Sequence, residues 1–341
     1  MTAIAFDPAD VDAIRTQLEQ FLRERSWDVR IDPAIHRFAG GLDTYIYGVT
    51  LRGTLPEGWP TRVVLRVYPA ADQGPKMERE FAVQRFMGGR GFPAPRPLLA
   101  GKADEVWSLP FMLMERVEGS LSTSGFTNPL RMRGMIRAMA ALQARLHSLP
   151  IDGCPLPYEG PLVDRMLAEP REIIEKYPAP ELARGLRWVE ENAGIVREEE
   201  PVLVHNDLHP VNVLAQRRRL TLLDWPDADI GDRHSDVART LGVFKGAEFM
   251  ASGPIGRTAP GFLRRYTVSN YLRDYATHFP LDARRLRYWE VLHGFRELVT
   301  VETMDREGAA ALGGRDGLVA ETEGFAEQLR RYFEERSGLK L

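Results

Sequence analysis

The sequence predicts an α+β protein of two lobes, an antiparallel five-stranded sheet lobe with one main helix and a mainly helical lobe. A chain of 341 residues exceeds the size at which one core keeps growing, which favours two domains. Strand-like runs are concentrated before residue 118, and helical spacing dominates after it. Because strands and helices do not alternate, a doubly wound arrangement is not expected. We therefore predict an N-terminal lobe at 1–117 and a C-terminal lobe at 118–341.

The N-terminal lobe is predicted to begin with a packing helix and to continue as a sheet. The helix starts near Pro8 and fades by Ser26. Apolar residues at helical spacing predict the main helix over 75–87, and Gly40 and Gly41 separate the first two strands. The expected strands are 35–39, 45–51, 62–68, 98–101 and 110–117.

The C-terminal lobe is predicted to be helical except for one β-hairpin after residue 202. Asn128 and Pro129 are the start signal of a helix that runs to His147, and its methionine-rich stripe is typical of core packing. Further helices are expected over 164–176, 180–196, 235–245, 261–278, 282–304 and in a last segment that ends at 336.

Composition and charge narrow the classes of partner. A net charge of −3 and a pI near 6.2 give no general attraction to nucleic acid or to an anionic membrane. The single cysteine, Cys154, excludes an internal disulfide framework and suits a reducing cytoplasm. No stretch approaches the roughly 18 apolar residues of a membrane span, and the acidic N-terminus does not fit a signal peptide. We expect a cytoplasmic protein with a small-molecule ligand and no nucleic-acid or membrane partner. The sequence does not determine the oligomeric state.

The stretch 202–236 carries the residues that point to chemistry. An apolar run leads into a loop that contains Asp207, His209 and Asn212. Two further apolar runs flank a polar turn, which predicts a hairpin that places Asn212 opposite Asp224. Cross-strand partners lie roughly 5 Å apart, so an amide oxygen and a carboxylate there can hold one cation. Mg²⁺ prefers such ligands, which leaves Asp207 for another role.

These residues fit the needs of phosphoryl transfer. The reaction requires a carboxylate at the attacking hydroxyl, metal ligands for the phosphates and a cation on the phosphate side. The stretch 202–236 supplies the first two. Arg66 on an apolar strand supplies the third, and Glu80 on the main helix is placed to hold it. Gly40 and Gly41 allow the backbone to pass close to a nucleotide.

Two motifs resemble those of the aminoglycoside phosphotransferase family, which shares the protein kinase-like fold and includes choline, homoserine and fructosamine kinases. The family's catalytic loop, His-Gly-Asp-Leu-His-Pro-Gly-Asn, is matched by residues 205–212, His-Asn-Asp-Leu-His-Pro-Val-Asn. Its next motif, which begins Ile-Asp-Trp-Gly, is matched by residues 223–238, which begin Leu-Asp-Trp-Pro. The likeness covers roughly residues 34–245.

The resemblance implies an ATP- and Mg²⁺-dependent kinase that moves the γ-phosphoryl group to a hydroxyl of a small molecule, with GTP as an open alternative to ATP. It implies that Asp207 is the catalytic base and that Asn212 and Asp224 are the Mg²⁺ ligands. Residues 111–119 resemble the hinge between the lobes, whose backbone takes the adenine. The implied nucleotide-binding residues are Gly41, Thr44, Arg66, Glu80, Glu115 and Val117.

Five positions depart from the family pattern. Asn206, Val211 and Pro226 replace glycines, and Arg233 replaces a proline. Pro226 fixes its φ and removes an N–H directly after the metal aspartate, so a stiff loop is expected. Asp43 stands where the family prefers serine, and a carboxylate beside phosphates is repulsive.

Two other functions stay open. His205, Asp207 and His209 alternate, so on an extended segment they share one face and could bind Zn²⁺ in a metal-dependent hydrolase. The second alternative is a catalytically idle nucleotide-binding protein of the same fold. In the phosphotransferase interpretation, His205 is a buried brace of the loop, and Asp232 and Asp236 are loop and helix-cap anchors.

The sequence leaves the phosphate acceptor open. Glu290 and Glu297 lie two helical turns apart on one face of the 282–304 helix, as an acidic pocket for a polycationic aminoglycoside requires. Aromatic residues of the same helix suit an apolar or sugar-bearing acceptor equally well, or the core: Tyr288, Trp289 and Phe295. Antibiotic resistance therefore does not follow from the sequence.

Overall fold

The computed structural model describes residues 7–25, 27–38, 44–102, 107–198, 200–217, 219–246, 260–308 and 324–341. The chain divides into two units, Met1–Gly119 with Thr221–Pro226, and Ser120–Leu220 with Asp227–Leu341. The short segment at 221–226 therefore belongs to the first unit, although its neighbours in sequence belong to the second.

An antiparallel sheet is the framework of the first unit. Its strands are β1 Val29–Ile31, β2 His36–Arg37, β3 Tyr45–Gly53, β4 Arg62–Val67, β5 Pro97–Gly101 and β6 Phe111–Glu115. They follow the order β1-β3-β4-β6-β5, and β2 pairs with β3. The register places Arg66 opposite Ile46 of β3 and Met112 of β6, so the arginine lies in the middle of the sheet.

Two helices accompany this sheet. Helix α1, Val11–Glu24, begins after the N-cap Asp10, whose carboxylate accepts the N–H groups of Asp12 and Ala13. Its apolar stripe packs in one core with the sheet, where the rings of Phe21 and Phe111 meet edge to face at 4.8 Å. Helix α2, Gly74–Gly89, carries the fully buried Glu80. Burial of this acid in a sheet core requires a charged or hydrogen-bonded partner.

The second unit is built mainly of helices. They are α3 Thr123–Thr127, α4 Pro129–His147, α5 Leu162–Met166, α6 Ala168–Lys176, α7 Pro180–Asn192, α8 Arg233–Gly246, α9 Pro260–Ala276, α10 Ala283–Glu307 and α11 Phe325–Ser337. Helix α10 packs against α8 and α11, and α9 packs against α4. Tyr288, Trp289 and Phe295 of α10 are buried, so these aromatic residues belong to the core.

The strands of the second unit are short. They are β7 Ser120–Leu121, β8 Pro201–Val204, β9 Val213–Gln216, β11 Asp229–Asp232 and the start of β10, Arg219–Leu222. Strands β8 and β11 pair antiparallel, with Val204 opposite Asp229. Because α8 follows β11 directly and packs against β8, its first turn lies beside the loop that leaves β8.

The predicted elements are present, and the described residues add β1, β7, β11 and α3. The pattern does not predict β1, because its three residues are too few for an alternation to show. The helix expected over 164–176 is two helices, α5 and α6, which meet at Leu167. None of the described helices is both long and apolar enough to span a membrane.

Candidate active site

The loop at 205–212 follows β8 and is fixed by Asp236 in the first turn of α8. The Asp236 carboxylate accepts the backbone N–H groups of His205 at 3.2 Å and Asn206 at 2.7 Å. Asn206 has a φ of 60°, a left-handed conformation that glycine and asparagine adopt most easily. The backbone therefore explains why asparagine can stand where the family has glycine.

Asp236 is held in turn by a buried hydrogen-bond chain. His147, at the end of α4, contacts the Asp236 carboxylate through Nε2 at 2.9 Å and the Tyr275 hydroxyl through Nδ1 at 2.6 Å. Burial raises the pKa of Asp236, but the contacts with His147 and the His205 backbone outweigh it, so the pKa lies below its usual value. The loop is therefore anchored on an ionised carboxylate.

Asp207 has hydrogen-bond donors on both carboxylate oxygens. Oδ2 accepts from Asn212 Nδ2 at 2.8 Å and contacts His209 Nε2 at 3.1 Å. Oδ1 accepts from Arg239 Nε at 3.3 Å and Nη2 at 3.2 Å. Burial raises the pKa of Asp207, but His209 and Arg239 outweigh it and lower the pKa to about 2. The carboxylate is therefore ionised at neutral pH.

The side chains beside Asp207 have defined orientations. His209 Nδ1 accepts the backbone N–H of Val211 at 3.3 Å, which assigns the ring proton to Nε2, facing Asp207. Asn212 Nδ2 donates to the carboxylate and also to the carbonyl oxygen of Asp207, at 3.1 Å. The amide oxygen of Asn212 is then the atom that a hard cation can use.

In the first unit, Arg66 lies between two carboxylates. Its Nη1 donates to Glu80 Oε1 at 2.8 Å and to Asp224 Oδ1 at 2.6 Å. Glu80 also accepts from the Tyr68 hydroxyl at 2.5 Å. Burial lowers the pKa of Arg66, but Glu80 and Asp224 raise it by more, so the guanidinium stays charged. The predicted contact between Arg66 and Glu80 is present, and it extends to Asp224.

Asp224 itself has a φ of 65°, so its backbone is left-handed. The next residue, Trp225, is fully buried, packs on Phe92 with ring centroids 5.7 Å apart, and donates its backbone N–H to Glu80. The cluster thus uses the N–H of Trp225. Pro226 has no backbone N–H, but none of these contacts requires one.

The other predicted nucleotide-binding residues are placed in part. Gly41 and Asp43 lie outside the described residues. Thr44 is buried directly before β3, and its hydroxyl has no hydrogen-bond partner among the described residues. Glu115 ends β6, and Val117 follows it in a half-buried position. Their roles toward a nucleotide stay predictions.

The loop geometry does not favour the zinc site. His205 is fully buried, and its Nδ1 accepts the backbone N–H of Asp207 at 3.2 Å, as a brace of the loop does. Asp207 and His209 contact each other. In the described part of the chain, no group of three or more His, Cys, Asp or Glu side chains is placed to hold a metal ion.

Arg239, Tyr68 and His147 are site residues that the sequence patterns did not single out. Arg239 follows Asp236 by three positions on one helix, a spacing that places both on one face and could have indicated it. Tyr68 follows Arg66 by two positions, as residues on one face of a strand do. His147 has no such signal, because 89 residues separate it from Asp236.

Asp232 forms a second buried anchor, at the start of α8. Oδ1 accepts the His234 backbone N–H at 3.0 Å, which caps the helix, and contacts the His234 ring at 2.7 Å. Oδ2 accepts from Arg285 at 2.6 Å and from the Trp289 indole at 2.8 Å. Burial raises the pKa of Asp232, but the His234 and Trp289 contacts outweigh it and hold the pKa well below its usual value.

Replacing Asp232 by asparagine is expected to lower the free energy of unfolding at pH 7 by about 3 kcal/mol, since Arg285 loses its buried partner. The folded-state pKa of Asp232 lies below the unfolded value of roughly 3.9. Its contribution is therefore present above that pH and is lost as the pH falls. The difference in free energy of unfolding between wild type and Asp232→Asn should shrink from about pH 5 toward pH 2, as measured by urea unfolding at each pH.

The control for this variant is Glu172→Gln, an exposed position on α6, which should leave the unfolding free energy unchanged. If the free energy of unfolding of Asp232→Asn stayed below that of wild type by a constant amount from about pH 7 to pH 2, an ionised, stabilising Asp232 would be contradicted.

The fold and the site define a class of protein. An antiparallel sheet with one main helix, and a helical unit whose loop carries Asp207 and Asn212, constitute the α+β protein kinase-like fold. A crystal structure with this fold is a thermostable mutant of aminoglycoside phosphotransferase APH(4)-Ia in ternary complex with ADP and hygromycin B. It matches with a TM-score of 0.61 over 92% of this chain and 97% of that chain. The sequence identity is 15%, so this likeness shows the fold alone.

The chain belongs to the phosphotransferase enzyme family, whose family model matches residues 34–278. It is 24% identical to the aminoglycoside 3'-phosphotransferase of Streptomyces fradiae over 254 residues, which are 70% of this chain and 87% of that protein. It is 29% identical to acyl-CoA dehydrogenase family member 11 of Pongo abelii over 199 residues, 54% of this chain and 25% of that protein. The chain thus spans about a quarter of the length of the first curated relatives it matches. The predicted family and fold are confirmed.

Proposed function

We propose that this chain is an ATP- and Mg²⁺-dependent phosphotransferase that moves the γ-phosphoryl group to a hydroxyl of a small molecule. The observation that carries the proposal is Asp207, an ionised carboxylate held by Asn212 and Arg239 in the loop after β8. A carboxylate in this state orients an attacking hydroxyl and takes its proton. Membership of the phosphotransferase enzyme family and the similarity to the aminoglycoside 3'-phosphotransferase of Streptomyces fradiae support the same reaction class.

The nucleotide is assigned to the first unit, and the acceptor to the predicted C-terminal lobe, 118–341. Arg66 is the phosphate-side cation, and Glu80 and Tyr68 position it. The ADP bound to the similar APH(4)-Ia mutant supports an adenine nucleotide. The remaining proposed nucleotide contacts are Gly41, Thr44 and the backbone of Glu115 and Val117. The lone Cys154 fits a cytoplasmic location.

The donor set fits Mg²⁺. Asp224 offers a carboxylate and Asn212 an amide oxygen, both hard ligands. The two residues belong to different units, so their joint ligation is part of the proposal. Arg66 Nη1 already donates to Asp224 Oδ1, so Mg²⁺ would compete with the guanidinium for this carboxylate. Bound Mg²⁺ would neutralise the phosphate oxygens during transfer.

In the proposed reaction, the acceptor oxygen forms a bond to the γ-phosphorus. The bond from the γ-phosphorus to the bridging oxygen breaks, and ADP leaves with that electron pair. The hydroxyl proton passes to Asp207. Because a carboxylate with a pKa of about 2 is a weak base, Asp207 acts first by orientation and accepts the proton as the transition state makes it acidic.

Two measurements test the proposed function. Calorimetry is expected to show ATP binding that Mg²⁺ tightens, with GTP compared in the same buffer. A screen of hydroxyl-bearing metabolites and antibiotics with radiolabelled ATP is expected to give a labelled product. One equivalent of zinc by elemental analysis, with no thermal shift from Mg·ATP, would replace this proposal with the zinc-hydrolase alternative.

A further inference from the structure

A cavity of about 540 Å³ lies in the second unit and reaches the catalytic aspartate through one side chain. Helices α8, α10 and α11 line it. Arg239 is part of the lining, and the same guanidinium donates to Asp207 Oδ1. The volume lies within the range of small-molecule sites, roughly 300–1,000 Å³. The cavity is therefore joined to Asp207 by Arg239.

Arg239 occupies the position that an acceptor hydroxyl needs. Each carboxylate oxygen accepts about two hydrogen bonds. Asn212 and His209 use Oδ2 of Asp207, and the Nε and Nη2 groups of Arg239 use Oδ1. The Arg239 bonds, at 3.2 and 3.3 Å, are the longest of the four. Arg239 also pairs with Glu297, so it keeps a carboxylate partner when it leaves Asp207.

The charges of the cavity wall balance in number, and two of its carboxylates are already paired. Among the described lining residues, the ionised groups are three cations and three carboxylates: Arg239, Lys245, Arg331, Glu290, Glu297 and Glu335. Glu290 is buried and contacts both Lys245 and Arg336. Glu297 contacts Arg239. A polycationic acceptor would have to break these partly buried ion pairs to reach Glu290 or Glu297, which is costly.

Two further lining groups are uncharged. Burial and the nearby Arg239 together lower the pKa of His293 to about 3, so the imidazole is neutral at pH 7. The Tyr332 hydroxyl is buried and has no hydrogen-bond partner among the described residues.

Small residues give the cavity its room. Ala238, Gly242 and Gly246 lie at four-residue intervals on α8 and line one side, and Gly294 of α10 lines another. A Cβ atom built at Gly242 would meet no atom within 4 Å. Val243, Leu329 and Phe325 add apolar surface. The wall thus suits an apolar body more than a charged one.

Resting on the proposed function, we propose that the phosphate acceptor is an uncharged hydroxyl compound with a largely apolar body. It binds in this cavity, and its hydroxyl replaces Arg239 at Oδ1 of Asp207. Arg239 then turns to Glu297 and stays paired. Glu290 and Glu297 hold the cavity wall together instead of attracting a polycationic acceptor.

The replacement Gly242→Leu tests the site. Its side chain enters open space, so the helix should keep its stability while the cavity is filled. The matched control is Gly134→Leu on α4, where a Cβ also meets no atom within 4 Å but which does not line the cavity. Thermal shifts with Mg·ATP are measured on the same samples and should be equal in all three proteins.

The probes are three sets of hydroxyl compounds. The uncharged set contains n-hexyl β-D-glucopyranoside and neutral terpene and sterol alcohols; the cationic set contains kanamycin and the 6-amino-6-deoxy hexyl glucoside; the anionic set contains hexyl glucuronide. Binding by the uncharged set to wild type and Gly134→Leu, with at least tenfold weaker binding to Gly242→Leu, supports the proposal. Binding by charged sets alone, insensitivity to Gly242→Leu, or no binding by any uncharged compound overturns it.

The variant Arg239→Met tests independently whether the paired state of Glu297 opposes binding of a polycationic acceptor. Because it leaves Glu297 unpaired at the cavity wall, we expect it to bind kanamycin at least tenfold more tightly than wild type does. Equal kanamycin affinity would overturn the charge argument. A protein that shows no shift with Mg·ATP refutes the proposed function, whereas one that binds Mg·ATP but no uncharged compound refutes only this inference.

Discussion

Replacing Asp207 by asparagine is expected to lower phosphoryl transfer by about 10²–10⁴-fold while leaving the affinity for Mg·ATP unchanged. The amide has nearly the same shape but cannot accept the hydroxyl proton. Its NH₂ group also faces hydrogen-bond donors in either orientation, Asn212 and His209 at the Oδ2 position or Arg239 at the Oδ1 position. Turnover is measured by product formation and nucleotide affinity by calorimetry.

The matched control for this variant is Asp164→Asn on α5, a half-buried aspartate at the protein surface whose partner is Arg197. It should keep wild-type turnover, since exposed ion pairs contribute little to stability. Wild-type turnover in Asp207→Asn would remove the catalytic role. Loss of Mg·ATP affinity in the same variant would show that Asp207 acts on the nucleotide instead of the acceptor.

The loop that carries Asp207 was predictable from sequence because polar residues at 205–212 interrupt apolar runs of strand character. Its anchors were harder to predict. Asp236 holds the loop from 30 residues away, and His147 holds Asp236 from 89 residues away. These distances in sequence carry no periodicity, so only tertiary packing reveals the chain from Tyr275 through His147 to the loop.

For the acidic residues of α10, the sequence predicts the shared helix face but not the residues that pack against it. Helical spacing correctly places Glu290 and Glu297 on one face. Spacing does not say what packs against that face, and α8 and α11 bring Lys245, Arg239 and Arg336 to it. A pattern that indicates an acidic pocket in isolation is therefore a set of ion pairs in the fold.

In the Arg66 cluster, one contact is predicted by the sequence pattern and another depends on the tertiary fold. The strand and helix patterns predict the contact between Arg66 and Glu80, and the structure has it. The contact between Arg66 and Asp224 joins residues 158 positions apart, and it depends on the short segment 221–226 returning to the first unit. This contact changes what should be expected when the proposed metal ligand is removed.

Replacing Asp224 by alanine is expected to abolish the Mg²⁺-dependent tightening of ATP binding, a loss of about tenfold or ~1.4 kcal/mol or more. Without Mg²⁺, ATP affinity should not fall. Arg66 Nη1 now donates to Asp224, and its removal makes that donor available to a phosphate oxygen, while Glu80 and Tyr68 still position the arginine. Calorimetric titrations with and without Mg²⁺ measure both effects on one protein.

The two-sided result separates metal ligation from damage to the fold. A variant that had merely lost its structure would bind ATP more weakly under both conditions, and unchanged tightening by Mg²⁺ would exclude Asp224 as a ligand. Asp72→Ala, an exposed aspartate of the same unit, is the control and should retain the wild-type response. Because Arg66 and Mg²⁺ favour the same carboxylate, the expected pattern is a direct consequence of their competition for Asp224.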